Sequence, residues 1–161
     1  MGRLIAKLMR DQQQPVEIIA YSKKDKVQVA ALLSLVKEFQ LSEERDASEP
    51  ERLIAQGFTL LAKVGSSYVG FLNYKKFRND YWHICALGVN AAARGKGLGR
   101  ALLEFLISKA LASSPKAIIM IGVNPENKVA RSLYTRVGFE VVESGVECET
   151  PFELMRYRNQ N

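Results

Sequence analysis

The sequence predicts an α/β domain of the mixed (α+β) kind, a central mixed sheet with helices on its faces, in the order β-α-α-β-β-β-α-β-α-β-β. Three observations predict it. Short apolar or alternating runs bounded by Gly, Asn, Asp, Ser and Pro read as strands. Between them lie stretches whose apolar residues recur at helical spacing. The length of 161 residues favours one domain, and a chain of that size buries roughly 70% of the surface it exposes when unfolded.

The elements follow in order. "VEIIA" (16–20) is a short strand. From Asp25 to Phe39 the residues Val29, Leu32, Leu33, Val36 and Phe39 or Gln40 recur at helical spacing. The polar stretch after them reads as loop, and Ser48 then caps a second short helix with Pro50 near its first turn and Gly57 at its end. Three strands come next, "FTLLAKV" (58–64), "YVGFLNYKKF" (68–77) and "YWHICALGV" (81–89). Gly65-Ser66-Ser67 and Arg78-Asn79-Asp80 supply their turns. Leu98 to Ala112 is a helix, broken by Ser113-Ser114-Pro115. "AIIMIGV" (117–123) is continuously apolar, as in a strand buried on both faces. Asn124 is the expected N-cap and Pro125 the first residue of the next helix, whose stripe is Ala130, Leu133, Tyr134 and Val137 and whose end is Gly138. "FEVVES" and "FELMRYR" are two closing strands. Residues 1–15 read as an extension with room for a short helix, 16–158 as the single domain and 159–161 as a tail.

Composition narrows the function. The two cysteines, Cys85 and Cys148, form no CxxC pair and there is one histidine, so no structural zinc or other metal site is expected. Two scattered cysteines fit a reducing, cytoplasmic setting. No apolar segment approaches the length of a membrane span, and the N-terminal stretch lacks the apolar core of a signal peptide. The net charge of +6 suits an anionic ligand. No block of like charge or aromatic–basic interleaving marks a nucleic-acid platform, so neither nucleic acid nor membrane is the expected partner.

The stretch "RGKGLGR" (94–100) stands where a strand gives way to a helix. Its glycines at 95, 97 and 99 uncover backbone N–H groups, and a helix start adds unpaired N–H groups and the positive end of the macrodipole. Together these make a phosphate site. A Walker loop needs GxxxxGK followed by Ser or Thr, and a dinucleotide fingerprint needs GxGxxG opening a βαβ unit; this loop is neither.

What matches is Arg94-x-x-Gly97-x-Gly99 after a strand, with Asn127-x-x-Ala130-x-x-Leu133-Tyr134-x-x-x-Gly138-Phe139 following at the right distance. The pair resembles the two signatures of the GCN5-related N-acetyltransferases, the GNAT superfamily. The resemblance covers about Val16 to Arg158 and implies the GNAT fold, with a mostly antiparallel sheet. It implies acetyl-CoA (coenzyme A) as co-substrate. The pyrophosphate would lie on Arg94, Gly95, Lys96, Gly97, Leu98, Gly99 and Arg100, and the pantetheine arm on the main chain of Leu87, Gly88 and Val89. Asn127 would contact the cofactor arm or support its helix cap. One departure is visible: the family often has proline where this chain has Ala91.

Acyl transfer to an amine needs a neutral amine, donors for the developing oxyanion and a thiolate that can leave. An alkyl ammonium has a pKa of about 10.4, so a base or water relay must take its proton. The resemblance makes Tyr134 the general acid towards the departing sulfur; the alternative is a core tyrosine. Many family members carry a glutamate where this chain has His83, six residues before Val89. His83 is the candidate base, directly or through water, against the alternative of a strand histidine without a role. Alternation puts His83, Cys85, Leu87 and Val89 on one face, unless a bulge of the kind common in the family re-aims His83. Cys85 reads as a buried structural cysteine.

The family's acceptors are varied amines. Acid gathers at Glu43, Glu44, Asp46, Glu49 and Glu51 and again at Glu143, Glu147, Glu149 and Glu153, which fits a cationic amine at a negative rim. The expected function is therefore acetyl-CoA-dependent N-acetylation of a small-molecule or peptide amine within a ternary complex. The rival readings are an acyl-CoA-binding module without catalysis and a basic nucleic-acid-binding domain. The resemblance also implies a homodimer; composition does not.

Overall fold

A computed structural model describes residues 6–8, 14–43, 52 and 55–159. Strands β1 (Ala6–Leu8), β2 (Val16–Ala20), β3 (Phe58–Val64), β4 (Ser67–Lys76), β5 (Tyr81–Val89), β6 (Ile118–Val123), β7 (Phe139–Glu147) and β8 (Thr150–Tyr157) form one sheet in the order β1-β2-β3-β4-β5-β6-β8-β7. Every neighbouring pair is antiparallel except β5 and β6. The mixed, mostly antiparallel sheet is the one the sequence predicts. The N-terminal stretch differs: Ala6–Leu8 is not helical but pairs with Val16–Ile18. Backbone groups beside an exposed strand edge satisfy themselves by adding to it.

Helix α1 (Lys26–Glu43) runs past its expected end at Phe39. Asp25 starts it, its Oδ1 accepting from the N–H groups of Val27 and Gln28 at 3.0 and 3.2 Å. Its buried stripe is Leu32, Leu35, Val36 and Phe39, which packs on Leu61, Phe71 and Ala86. Leu33, expected in that stripe, faces outward, and Leu35 takes its place. The predicted second helix, with Ser48 and Pro50, lies outside the described residues apart from Arg52 and residues 55–57, where the Gln56 N–H donates to the Arg52 carbonyl at 3.0 Å.

The opposite face of the sheet carries α2 (Leu98–Ser113) and α3 (Lys128–Val137). Leu102, Leu103, Leu106 and Ala110 of α2 are fully buried against Leu72, Trp82, Ile84, Ile119 and Ile121. The sheet thus separates a small core under α1 from a larger one under α2 and α3.

Helix α3 starts later than expected. Asn124 does not cap it. Its Oδ1 accepts from the Glu126 N–H at 3.0 Å, and its carbonyl accepts from the Asn127 N–H at 2.9 Å. Asn124-Pro125 is thus a turn, and Asn127 is the N-cap, accepting from the Ala130 N–H at 3.2 Å. Two asparagines three apart can each cap. Pro125 fixes φ for the second position of a turn as readily as for the first of a helix, and the turn wins here. Gly138 ends α3 as expected, at φ 120°.

Candidate active site

The site forms where β5 and β6 part. Their parallel pairing runs from Tyr81–Ile118 to Ile84–Ile121 and stops there. Beyond it β5 continues to Val89 and β6 to Val123, and a cleft of about 360 Å³ opens between them. His83, Cys85, Leu87, Asn127 and Tyr134 all line it, so the structure brings five of the singled-out residues together. Gly88 and Val89 follow directly on β5, residues 94–97 form the turn into α2 and residues 98–100 are its first turn, none of them part of the cleft lining.

A bulge shapes this stretch. Asn73 of β4 pairs with Ala86, but its neighbour Tyr74 pairs with Ile84, leaving Cys85 as the extra residue on β5. The expected single-face set is therefore split. Ala86 packs under α1 and Leu87 packs in the α2–α3 core, the reverse of unbroken alternation. His83 lies one residue from both Trp82 and Ile84, which belong to the α2–α3 core, so it faces the α1 side. Tyr134 reaches the same cleft from the α3 side. Its ring is buried and meets Phe139 edge-on at 6.2 Å.

His83 is half-buried, pairs across the strands with Lys75 and stacks on Tyr81 at 6.3 Å. Burial, and secondarily the Lys75 ammonium, hold its imidazole below the usual value of 6.5. It is thus a neutral acceptor at pH 7. The same burial pushes the Cys85 thiol up, against the smaller opposing pull of Lys75, and its Sγ lies 3.7 Å from the His83 carbonyl. A protonated, half-buried thiol is a poor nucleophile, which agrees with its reading as structural.

The glycine loop has three different local causes. Gly95 and Gly97 sit at φ 76° and 79°, the left-handed region that L side chains rarely enter. A side chain at Gly95 would meet open space, so there only conformation requires glycine. Gly97 is the N-cap of α2, and the first intrahelical bond runs from the Ala101 N–H to its carbonyl at 3.0 Å. The N–H groups of the helix's first turn, ahead of that bond, have no partner within the helix. Gly99 serves packing instead: a Cβ there would lie 3.2 Å from Leu133 Cδ2, so its absence lets α2 close on α3.

The cations of the loop are less uniform than the sequence suggests. Arg94 Nε donates to the Val89 carbonyl at 3.0 Å, locking the loop back onto β5. Arg100 pairs with Glu104 at 2.7 Å. Lys96 is exposed. One contact was not legible in the sequence. The Ala91 N–H donates to Glu38 Oε1 of α1 at 2.8 Å. Proline, common in the family at this position, has no such donor. The departure at Ala91 therefore ties α1 to the loop. Sequence reasoning also missed Phe39, Gly122, Pro151 and Phe152 as cleft residues. Among the described residues no group of His, Cys, Asp and Glu could hold a metal ion, and no helix is long and apolar enough to cross a membrane.

Residues 10–139 match the acetyltransferase (GNAT) family, and the chain belongs to it. The UPF0157 protein YqkA of Bacillus subtilis (strain 168) is 33% identical over 133 residues, covering 80% of this chain and 34% of its own length. The chain thus spans about a third of that relative. Among solved structures, a GNAT family acetyltransferase from Elizabethkingia anophelis with acetyl-CoA bound superposes at TM-score 0.68 with 16% identity, covering 89% of this chain and 98% of that one. An aminoglycoside 6′-acetyltransferase type Ii superposes at TM-score 0.72 with 20% identity over 86% and 94% of the two chains.

The geometry around His83 carries a prediction about pH. With its pKa held below 6.5, activity that needs neutral His83 falls only as pH drops through that lowered value. Lys75→Met removes the smaller of the two causes. The acid limb of the kcat/KM profile should then move up towards 6.5 without reaching it, because burial remains. Stability follows the same sign. Between the folded pKa and 6.5 the unfolded chain binds more protons, so this contribution is complete above pH 6.5 and is lost as pH falls through the window. An acid limb that Lys75→Met leaves in place would remove His83 from the reaction.

Proposed function

We propose that this chain transfers the acetyl group of acetyl-CoA to a primary amine, directly between two substrates held in one cleft. The observation that carries the reading is the parting of β5 and β6. It frees one edge of β5 and puts His83 and Tyr134 into the gap from opposite faces of the sheet, and β5 leads on along the chain to the glycine loop. Acetyl-CoA supplies an activated acyl thioester and a pyrophosphate handle.

The free edge at Leu87, Gly88 and Val89 offers main-chain groups to an extended arm, as to an added strand. The turn Gly95–Arg100 and the α2 N-terminus offer N–H groups and a favourable dipole to the pyrophosphate. The open space at Gly95 and the left-handed Gly97 fit that task. Asn127, whose Oδ1 caps α3, borders the arm's path. His83 takes the amine proton directly or through water, and the Tyr134 hydroxyl gives a proton to the leaving sulfur.

Thermal shift tests the coenzyme half. A ligand at a hundred times its Kd stabilises the fold by about 2.7 kcal/mol. Acetyl-CoA and CoA should raise Tm while ATP and NADH do not. Release of CoA thiol, followed over an amine panel, then tests transfer. No shift with any acyl-CoA would leave the glycines serving only the turn and would overturn the proposal.

A further inference from the structure

The two faces of the cleft differ in chemistry, and the difference bears on the acceptor. The α1 side is walled by Phe39 at the end of α1 and by Phe152 and Pro151 at the start of β8. Phe39 is held edge-on to Phe71 at 5.6 Å, and its exposure is only 9%. Phe152 lies across Gly145 on the neighbouring strand, where a Cβ would come within 2.9 Å of its ring. Glycine at 145 thus makes room for that ring. Gly122, exposed on β6, lines the same cleft, and a Cβ there would meet nothing within 4 Å.

The charges lie elsewhere. Among the described residues no carboxylate lines this cleft. Glu153, the carboxylate next to Phe152, is spent on Arg131 at 2.6 Å. Glu143, Glu147 and Glu149 are exposed on β7 and its turn and are not part of the lining. The polar lining groups His83, Asn124, Asn127, Tyr134 and Thr150 are all uncharged when His83 is neutral. A polycation would have to shed water from several ammonium groups, and among the described residues that line the cleft no carboxylate is present to receive them. An apolar body gains by covering the phenyl rings and the open space at Gly122.

We propose that the acceptor is a monoamine carried on an apolar body, aromatic or branched aliphatic, seated between Phe39 and Phe152 over Gly122, and not a polycation. This inference rests on the acetyl-transfer reading for its chemistry, but binding can be measured without transfer. The first acidic group of the negative-rim expectation, Glu44, Asp46, Glu49 and Glu51 with the Glu43 side chain, lies outside the described residues.

The test compares phenethylamine and isoamylamine with spermidine and kanamycin, by CoA release with acetyl-CoA and by thermal shift of CoA-saturated protein. Phenethylamine should exceed spermidine at least tenfold in kcat/KM, and phenethylamine and isoamylamine, but neither spermidine nor kanamycin, should shift the CoA-saturated protein. Gly122→Leu builds on a Cβ position that meets nothing within 4 Å and fills that space, and Phe152→Ala removes one wall. Each should raise the phenethylamine KM severalfold, Gly122→Leu the more, with the acetyl-CoA KM within twofold of wild type. Spermidine or kanamycin performing as well as phenethylamine, or a phenethylamine KM untouched by both variants, overturns the inference. If acetyl-CoA binds but no amine releases CoA, acetyl transfer fails while the binding comparison still decides the acceptor class. Phenethylamine that neither reacts nor shifts the CoA-saturated protein overturns the inference as well.

Discussion

Tyr134→Phe should lower kcat about a hundredfold or more, within the usual range for losing a general acid, and leave the acetyl-CoA KM within a fewfold. The substitution removes one oxygen and keeps the ring. That ring is buried, 7% exposed, and packed edge-on against Phe139. A purely structural tyrosine would therefore show its loss in Tm with kcat unchanged. A catalytic one would show it in kcat, with only a modest change in Tm. The leaving thiolate of CoA has a basicity close to that of a free cysteine, about 8.5. On the acetyl-transfer reading it would depart from the cleft that Asn127, Ala130 and Tyr134 line. A phenol in that lining can meet the developing charge as it forms. The measurement is a pH–rate profile of both proteins with saturating acetyl-CoA, beside their melting curves. Full kcat for Tyr134→Phe across the whole range would remove the acid role and leave the oxyanion and thiolate to water.

The two signatures were legible because each is local. A glycine at a helix start and a stripe of Ala130, Leu133, Tyr134 and Val137 can be read from spacing alone. So could most of the sheet, since the turns at Gly65 and at Asn79-Asp80 adopt the positive φ their residue types favour. What escaped depends on chain segments far apart. The resemblance raised a bulge in this strand, but nothing local places it at Cys85, because Ile84, Cys85 and Ala86 are all apolar. Only pairing with β4 shows that one residue is extra, and it reverses which face Ala86 and Leu87 occupy. The Glu38–Ala91 hydrogen bond joins positions 53 apart. The cleft residues Phe39, Pro151 and Phe152 come from the end of α1 and the start of β8, which no local pattern connects. Asn124 and Asn127 could each cap a helix by composition. The choice between them was made by a three-residue turn that spacing does not resolve.

The glycine loop separates two ways of holding an anion, and a pair of variants distinguishes them. Gly97 has φ 79° and ψ 15° at the N-cap of α2. Valine there costs about 1–2 kcal/mol in left-handed strain, and relieving that strain re-aims the N–H groups of the first turn. If backbone groups hold the pyrophosphate, Gly97→Val should weaken acetyl-CoA binding about tenfold or more, where each tenfold is about 1.4 kcal/mol. The melting temperature without ligand should fall only by what the strain itself costs. Lys96→Ala removes an exposed charge and leaves the backbone alone. Its effect should be at most a fewfold and should shrink as salt rises, because exposed charges are screened. The other two cations are already engaged, Arg94 on the Val89 carbonyl and Arg100 on Glu104, so neither readily substitutes for Lys96. Calorimetric titration of acetyl-CoA into both variants at two salt concentrations is sufficient. A silent Gly97→Val beside a large, salt-sensitive loss in Lys96→Ala would mean that the loop works as a patch of charge. In that case its glycines exist to turn the chain from β5 into α2.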